Sequence, residues 1–324
     1  MSDIGQTQSS DEDAGELTGG DMDFFGDVPF WTPEIDRTCG KVAHWIRCDY
    51  TGGMVHGLQH IGKSSCAQYI ALTIPAILGP RISIVLWPTD EHEKKSPENC
   101  LAGWIRRSGC GYYNQKGREK LQYTLCDYLV DKATAENATR ILLIIDDSHW
   151  LQRDAYALLM SLTNELKLKG KRPFVLQIGQ PELVQVKSFF TGSNSLQIVS
   201  RFFGVQHEYL GITLNDLDEF LAELEKSREG GFSPIFLPHL AKRGFSLKDI
   251  ARPMRVAAQT IAQSQSITAE IRLPMGRLRS SLCSLFYRLR ADASISVVSE
   301  QLIYECFEEG DLASVLGYYV SKRA

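Results

Sequence analysis

Gly57-Leu58-Gln59-His60-Ile61-Gly62-Lys63-Ser64 has the spacing glycine, four residues, Gly-Lys-Ser, in which backbone amides surround a phosphate. Glycine lets the backbone come close to the phosphate oxygens, and the N-terminus of the helix that follows adds aligned amides and a partial positive charge. Lys63 is expected to reach the β- and γ-phosphates and Ser64 to hold Mg²⁺, with Gly57, His60, Ile61, Gly62 and Ser65 completing the cradle. The expected cofactors are ATP and Mg²⁺.

The surroundings agree with a phosphate loop. A short strand, Gly53 to His56, feeds it, although with a glycine and a histidine among four residues it is weaker than expected. Downstream, Ala67, Ile70, Ala71, Ile74 and Ile77 recur on one helical face from Lys63 to about Leu78, where Gly79-Pro80 stops the helix. Arg81 to Trp87 is a nearly continuous apolar run, as in a parallel strand covered on both faces.

The second decisive stretch is Ile141-Leu142-Leu143-Ile144-Ile145-Asp146-Asp147. Five apolar residues make a strand buried on both sides, and the carboxylates fall at its C-terminal end, where α/β sheets bind ligands. Asp146 is placed to hold Mg²⁺ through water or the Ser64 hydroxyl, and Asp147 to orient or deprotonate the attacking water. A helix N-cap is the competing reading of such a pair. A helix over 152–168 and a strand over 174–178 follow, closing on Gly179-Gln180-Pro181-Glu182. Gln180 can sense the γ-phosphate through the attacking water, or simply serve the turn. Arg201, in Val-Ser-Arg-Phe-Phe ahead of a strand at 205–209, is open between a surface arginine and a functional one.

Beyond Ile212 the pattern turns helical, at about 214–226, 233–243, 246–264, 275–290, 298–308 and 311–320. The fold class is therefore α/β: a P-loop core with a parallel sheet flanked by helices, followed by an all-helical lid. The domain limits expected are an acidic disordered tail over 1–23, a nucleotide-binding core over 24–212, and lid and C-terminal helices over 213–324. Arg255, or else Arg252, can extend from the lid to the phosphates.

Charge is unevenly spread. Residues 1–30 hold eight acids and no Lys or Arg, leaving 31 acids against 35 bases for the rest. A mildly basic body permits contact with nucleic acid without demanding it. Residues 88–120 combine Lys94, Lys95, Arg106, Arg107, Lys116, Arg118 and Lys120 with Trp104, Tyr112 and Tyr113. They suit either a DNA contact or a solvated charged face. The bases over 270–290 leave open DNA, an acidic partner or solvent. Phe24-Phe25 to Phe30-Trp31 is either a docking segment or a strap across the folded domain. No apolar run is long enough to span a membrane and no basic segment leads into an apolar one, so a cytoplasmic location is expected. Eight cysteines without a Cys-x-x-Cys pair are expected to be reduced thiols.

Together, the phosphate loop, Asp146-Asp147-Ser148-His149, Gly179-Gln180-Pro181-Glu182-Leu183 and Ser200-Arg201-Phe202 resemble the AAA+ ATPases. More narrowly, over about residues 35–265, they resemble the TniB/TnsC regulators of Tn-type and CRISPR-associated transposons. The resemblance implies an ATPase that forms a ring or helical oligomer on double-stranded target DNA, bridging a TniQ-like target-selection protein and the transposase. It implies Lys63 and Ser64 at the phosphates and Mg²⁺, Asp146 as the metal-linked carboxylate, and Gln180 as γ-phosphate sensor. It makes Arg201 the finger offered to a neighbouring subunit and Arg255 the lid sensor. The family commonly has Asp-Glu where this chain has Asp146-Asp147, so hydrolysis is expected to be slow or assisted by His149. A secretion-type motor, a helicase-loader-like ATPase and a nucleotide-dependent scaffold are the alternatives.

Overall fold

The computed structural model describes residues 24–25, 29–89 and 96–321. The expected acidic tail and the bases Lys94 and Lys95 lie outside the described residues.

In the first half, α1 (Pro33–Arg47) precedes β1 (Gly52–His56), α2 (Lys63–Leu78), β2 (Ile82–Pro88), α3 (Pro97–Arg107), α4 (Arg118–Ala135) and β3 (Arg140–Asp146). Then come a 3₁₀ turn at Ser148–Trp150, α5 (Arg153–Leu168), β4 (Arg172–Gly179), α6 (Glu182–Gly192), α7 (Leu196–Phe202) and β5 (Val205–Glu208). The five strands are all parallel, in the order β2-β3-β4-β1-β5. Parallel strands need crossovers, and the helices between them cover both faces of the sheet.

Alternation along each strand divides the core. Ile141, Leu143 and Ile145 face the layer built from α3 to α7. Leu142 and Ile144 face α1 and α2. This is why the apolar run over 141–145 has no polar member. One buried polar chain crosses the first layer. The Tyr156 hydroxyl on α5 donates to Gln177 Oε1 on β4 at 2.6 Å, and Gln177 Nε2 donates to the Phe202 carbonyl ending α7 at 2.8 Å. Both lie out of water, so both need those partners.

The second half pairs β6 (Ile212–Thr213) with β7 (Arg272–Leu273), antiparallel. Between and after them lie α8 (Leu217–Glu225), α9 (Phe232–Phe236), α10 (Pro238–Ala241), α11 (Ala251–Ser264), α12 (Met275–Ala291), α13 (Glu300–Glu309) and α14 (Leu312–Ser321). The two-residue ladder interrupts what reads as helices only. Phe24 and Phe25, counted with the core by chain order, pack in this helical half. The Phe24 ring centroid is 5.6 Å from that of Phe286 and 5.3 Å from that of Phe236.

The stretch 88–120 is less exposed than its polarity suggests. Ser96 caps α3 by accepting from Asn99 N at 3.2 Å. Trp104 is buried and stacks on Trp87, centroids 5.0 Å apart and planes 6° apart. Trp104 is a core residue, not an aromatic of a DNA grip. Arg106, Lys116, Arg118, Lys120 and Tyr112 remain exposed.

Replacing Gln177 by Leu strands a buried hydroxyl and a buried carbonyl. At about 1–3 kcal/mol for each orphaned group, Gln177→Leu is expected to lower unfolding free energy by about 3 kcal/mol. Urea unfolding checks it, and a loss under about 0.5 kcal/mol would contradict the account.

Candidate active site

The loop after β1 is shaped by two close approaches. Gly57 N donates to Gly179 O at 3.1 Å, and a Cβ on Gly57 would lie 2.3 Å from Tyr209 O. No side chain fits there. His60 (φ +57) and Gly62 (φ +102) both adopt the left-handed conformation, and Gly62 opens α2. Such alternation turns successive N–H groups toward one concavity, at the positive end of a helix, which is an anion cradle. Lys63, the first residue of α2, is buried and donates its Nζ to Leu58 O at 2.5 Å, across the arc of the loop. Burial pushes the Lys63 ammonium pKa down, while the charges of Asp147, Asp146 and Glu182 oppose that shift.

Asp146 ends β3 and is buried beside the loop. Burial raises its carboxyl pKa, the hydrogen bond from the Ser64 hydroxyl lowers it, and the Asp147 charge raises it again. Asp146 Oδ1 also accepts Asp147 N at 3.0 Å. Asp147 sits in the left-handed region, φ +51 and ψ +34, and leads into the 3₁₀ turn rather than capping a longer helix with its side chain. Gln180 Oε1 accepts from Gln59 Nε2 at 2.8 Å, joining the β4 tip to the loop.

These groups border a cavity of about 440 Å³, within the usual range for small-molecule sites. His60, Gly62, Lys63, Ser64, Ser65, Asp147 and Gln180 line it, and Asp146 is joined to it through Ser64. Gly57 and Ile61 face the other way, lining a second cavity with Glu182 and Glu208.

Two expected arginines are elsewhere. Arg201 folds onto α5, donating to Asn164 Oδ1 at 2.6 Å and reaching Met160 O and Thr163 Oγ1 at 3.4 Å. Arg255 donates to Leu214 O at 3.0 Å and pairs with Asp218. Neither lines the cavity. The lid arginine that does is Arg279, on the first turns of α12 with Met275 and Gly276. Its guanidinium carbon lies 5.3 Å from the Phe25 ring centroid and 5.8 Å from that of Phe30. By sequence, Arg279 is one base among several over 270–290. The usable signal was its place three residues after Gly276, on one face of the same helix.

Sequence reasoning also missed the wall opposite the loop, made by Phe30, Thr32, Ile35 and Tyr209. Thr32 caps α1, accepting Ile35 N at 3.1 Å. Helix α1 is fixed by a buried carboxylate: Glu34 accepts from His207 Nε2 at 3.1 Å, Arg37 Nε at 3.0 Å and Leu210 N at 3.2 Å. Burial alone would raise the Glu34 pKa, and these donors hold it below the ordinary value. The network thus ties the wall residues on α1 to Tyr209, just past β5.

The donors present fit a nucleoside triphosphate with Mg²⁺. The loop offers amides and an ammonium. Ser64 and Asp146 offer two oxygens, and among the described residues no cluster of three His, Cys, Asp or Glu could cage a metal alone. That set suits Mg²⁺, which takes a few protein oxygens and fills its shell with phosphate and water.

Residues 49–186 match the family model described as AAA domain. The chain has the AAA+ ATPase fold. ATP hydrolysis is the activity that goes with this P-loop module. Two solved structures of the Aeropyrum pernix ORC2 protein are similar at 14% identity. Its ADP form superposes with a TM-score of 0.57, covering 85% of this chain and 67% of that one. Its ADPNP-ADP complexes give 0.52, covering 93% and 74%. The likeness is one of fold. No curated protein sequence matches the chain. Among the described residues, no helix is long and apolar enough to cross a membrane.

Asp146 gives a pH-dependent test. A carboxyl whose folded pKa is raised costs stability above that pKa, and the cost vanishes as the pH falls and the group protonates. Asp146→Asn removes the cost and keeps an oxygen to accept from Ser64. Calorimetry of nucleotide-free protein is expected to show a higher Tm for the variant near pH 7, the gain shrinking toward about pH 4. ATP hydrolysis is lost in parallel. A lower Tm near pH 7 contradicts this reading.

Proposed function

We propose that the chain is an ATP-dependent, DNA-binding regulator of DNA transposition of the TnsC/TniB kind. In its ATP state it oligomerises, as a ring or helical filament, on double-stranded target DNA and bridges a TniQ-like target-selection protein and the transposase. Lys63 and the loop amides bind the phosphates, Ser64 and Asp146 hold Mg²⁺, Asp147 activates water, and Gln180 senses the γ-phosphate. Held by Ser64 and Asp146, Mg²⁺ would supply positive charge to offset that developing on the triphosphate.

The observation that carries the reading is the place of Arg201. Held on α5 by Asn164, it lies outside the cavity of its own chain. A cation offered to a neighbouring copy stabilises the transition-state charge there and makes hydrolysis depend on assembly. DNA contact is supported by Arg106, Lys116, Arg118 and Lys120, exposed with Tyr112 on and between α3 and α4. Cations grouped in this way release counterions from a phosphate backbone. The pairing of Asp146-Asp147-Ser148-His149 with Gly179-Gln180-Pro181-Glu182-Leu183 is what favours transposition over other AAA+ tasks. Arg279, rather than Arg255, takes the part of lid sensor.

Electron microscopy with short duplex DNA and a non-hydrolysable ATP analogue is expected to show rings or filaments that recruit the transposase. Monodisperse monomers would sink the proposal. Arg201→Ala is expected to lower hydrolysis by about 10³-fold. Mixing it with Lys63→Ala should restore part of the rate, because intact arginines of one variant then face intact loops of the other. Absence of recovery argues against completion in trans.

A further inference from the structure

The turn Ser148–Trp150 holds an imidazole in a tightly specified place. Ser148 is fully buried and donates its hydroxyl to Ile178 O at 3.0 Å. Trp150 N and Leu151 N close the turn on Asp147 O at 3.1 Å and Ser148 O at 3.0 Å. The His149 side chain is 4% exposed, its ring 4.8 Å from that of Trp150. Glycine at 179 gives it room, since a Cβ there would stand 3.2 Å from both His149 N and His149 Nδ1, close enough that the turn or ring would have to shift by a few tenths of an ångström.

From that seat Nδ1 faces two groups of the hydrolytic site. The Gln180 N–H points at it from 3.4 Å, and Asp147 Oδ1 lies 3.9 Å away. With a lone pair Nδ1 accepts from Gln180, and with a proton it stands within ion-pair reach of the Asp147 carboxylate, too far for a direct hydrogen bond in this arrangement. One ring atom therefore stands between the residue that activates water and the residue that senses phosphate.

Asp147 has need of such a neighbour. Its carboxylate stands one carbon–carbon bond, about 1.5 Å, closer to the backbone than a glutamate's would. It is half-exposed, on a residue in the left-handed region. Misplacing a catalytic group by about 1 Å can cost on the order of 10²-fold in rate.

We infer that His149 is a positioning residue for ATP hydrolysis, holding the Asp147 carboxylate in register with Gln180 so that both meet the same water. It does not line the nucleotide cavity and acts only through Asp147 and Gln180. The inference rests on Asp147 being the group that activates water.

The test compares kcat and KM for ATP hydrolysis, and binding of a fluorescent ATP analogue, in the full chain with duplex DNA present. The variants are His149→Ala, His149→Asn and Asp147→Asn, with each His149 change also made in the Asp147→Asn background. His149→Ala is expected to lower kcat about tenfold or more, with KM and analogue binding within about twofold. His149→Asn, whose amide can occupy the place of Nδ1 and either donate or accept, should recover most of that loss. In the Asp147→Asn background the further cost of His149→Ala should fall below about twofold, since residues acting as a unit are non-additive. An unchanged kcat in His149→Ala overturns the inference. So does a parallel loss of analogue binding, which marks a structural role, or an equal cost in both backgrounds. If Asp147→Asn alone leaves kcat unchanged, the reading of Asp147 has failed and this inference falls with it.

Discussion

Everything at the site depends on how closely β1 is packed between its neighbours. A Cβ on Gly52 would lie 2.7 Å from Arg201 O and 2.9 Å from Val175 O, and one on Gly53 would meet Val205 Cγ2 at 2.7 Å. At the other end Gly57 lies against the Tyr209 carbonyl. The strand is thus bracketed by residues that cannot bear side chains, and between them Met54 and Val55 are wholly buried. That closeness brings the C-terminal ends of β1 and β4 together, so the phosphate loop, Gln180 and the turn after β3 share one edge of the sheet. A larger residue at any of the three glycines would push β5 or β4 away and open the edge where the phosphates bind.

The same constraint explains what could and could not be read from the chain. Gly52 and Gly53 made β1 look like a poor strand, because strand propensity measures fit to side-chain neighbours and here the neighbours are backbone. The run over 141–145 was legible because both faces of β3 are covered and no position is free to be polar. The phosphate loop was legible because its chemistry lies in the backbone and in consecutive residues. Trp104 was misread because its burial depends on Trp87, seventeen residues earlier, and on the cap at Ser96, neither of which polarity reveals. The wall formed by Phe30, Thr32 and Ile35 was invisible for a similar reason. The Glu34 network, whose partner His207 is far along the chain, joins the packing of α1 on α2 in bringing α1 to the cavity. Arg279 was hidden by being one of several arginines on its stretch, its direction set by Phe25 and Phe30.

Electrostatics then divides the arginines by distance. Arg279 borders the cavity, whereas Arg201 is committed to α5 and Arg255 to Leu214 O and Asp218. The Arg201 hydrogen bond to Asn164 is exposed and those to Met160 O and Thr163 Oγ1 are long; a bond from a charged group contributes at most about 1.5–3 kcal/mol, little enough to exchange for a triphosphate. A cation that can leave such a seat at small cost suits a role completed by contact with another copy, where the gain from a desolvated phosphate is much larger.

The backbone of Arg201 is held more firmly than its side chain. Its carbonyl accepts from Thr51 Oγ1 at 2.9 Å, and the next carbonyl, Phe202 O, accepts from Gln177 on β4. Thr51 immediately precedes Gly52, the first residue of the strand whose far end becomes the phosphate loop, and Gln177 lies three residues before Gln180. Two adjacent strands therefore carry, at one end, groups that meet the chain's own nucleotide and, at the other, the anchor of the arginine proposed to serve a neighbour. A packed core transmits displacement rather than absorbing it. Under the trans reading of Arg201, the nucleotide state of one copy bears on its neighbour through a rigid path of two strands, five residues along β1, with no hinge between.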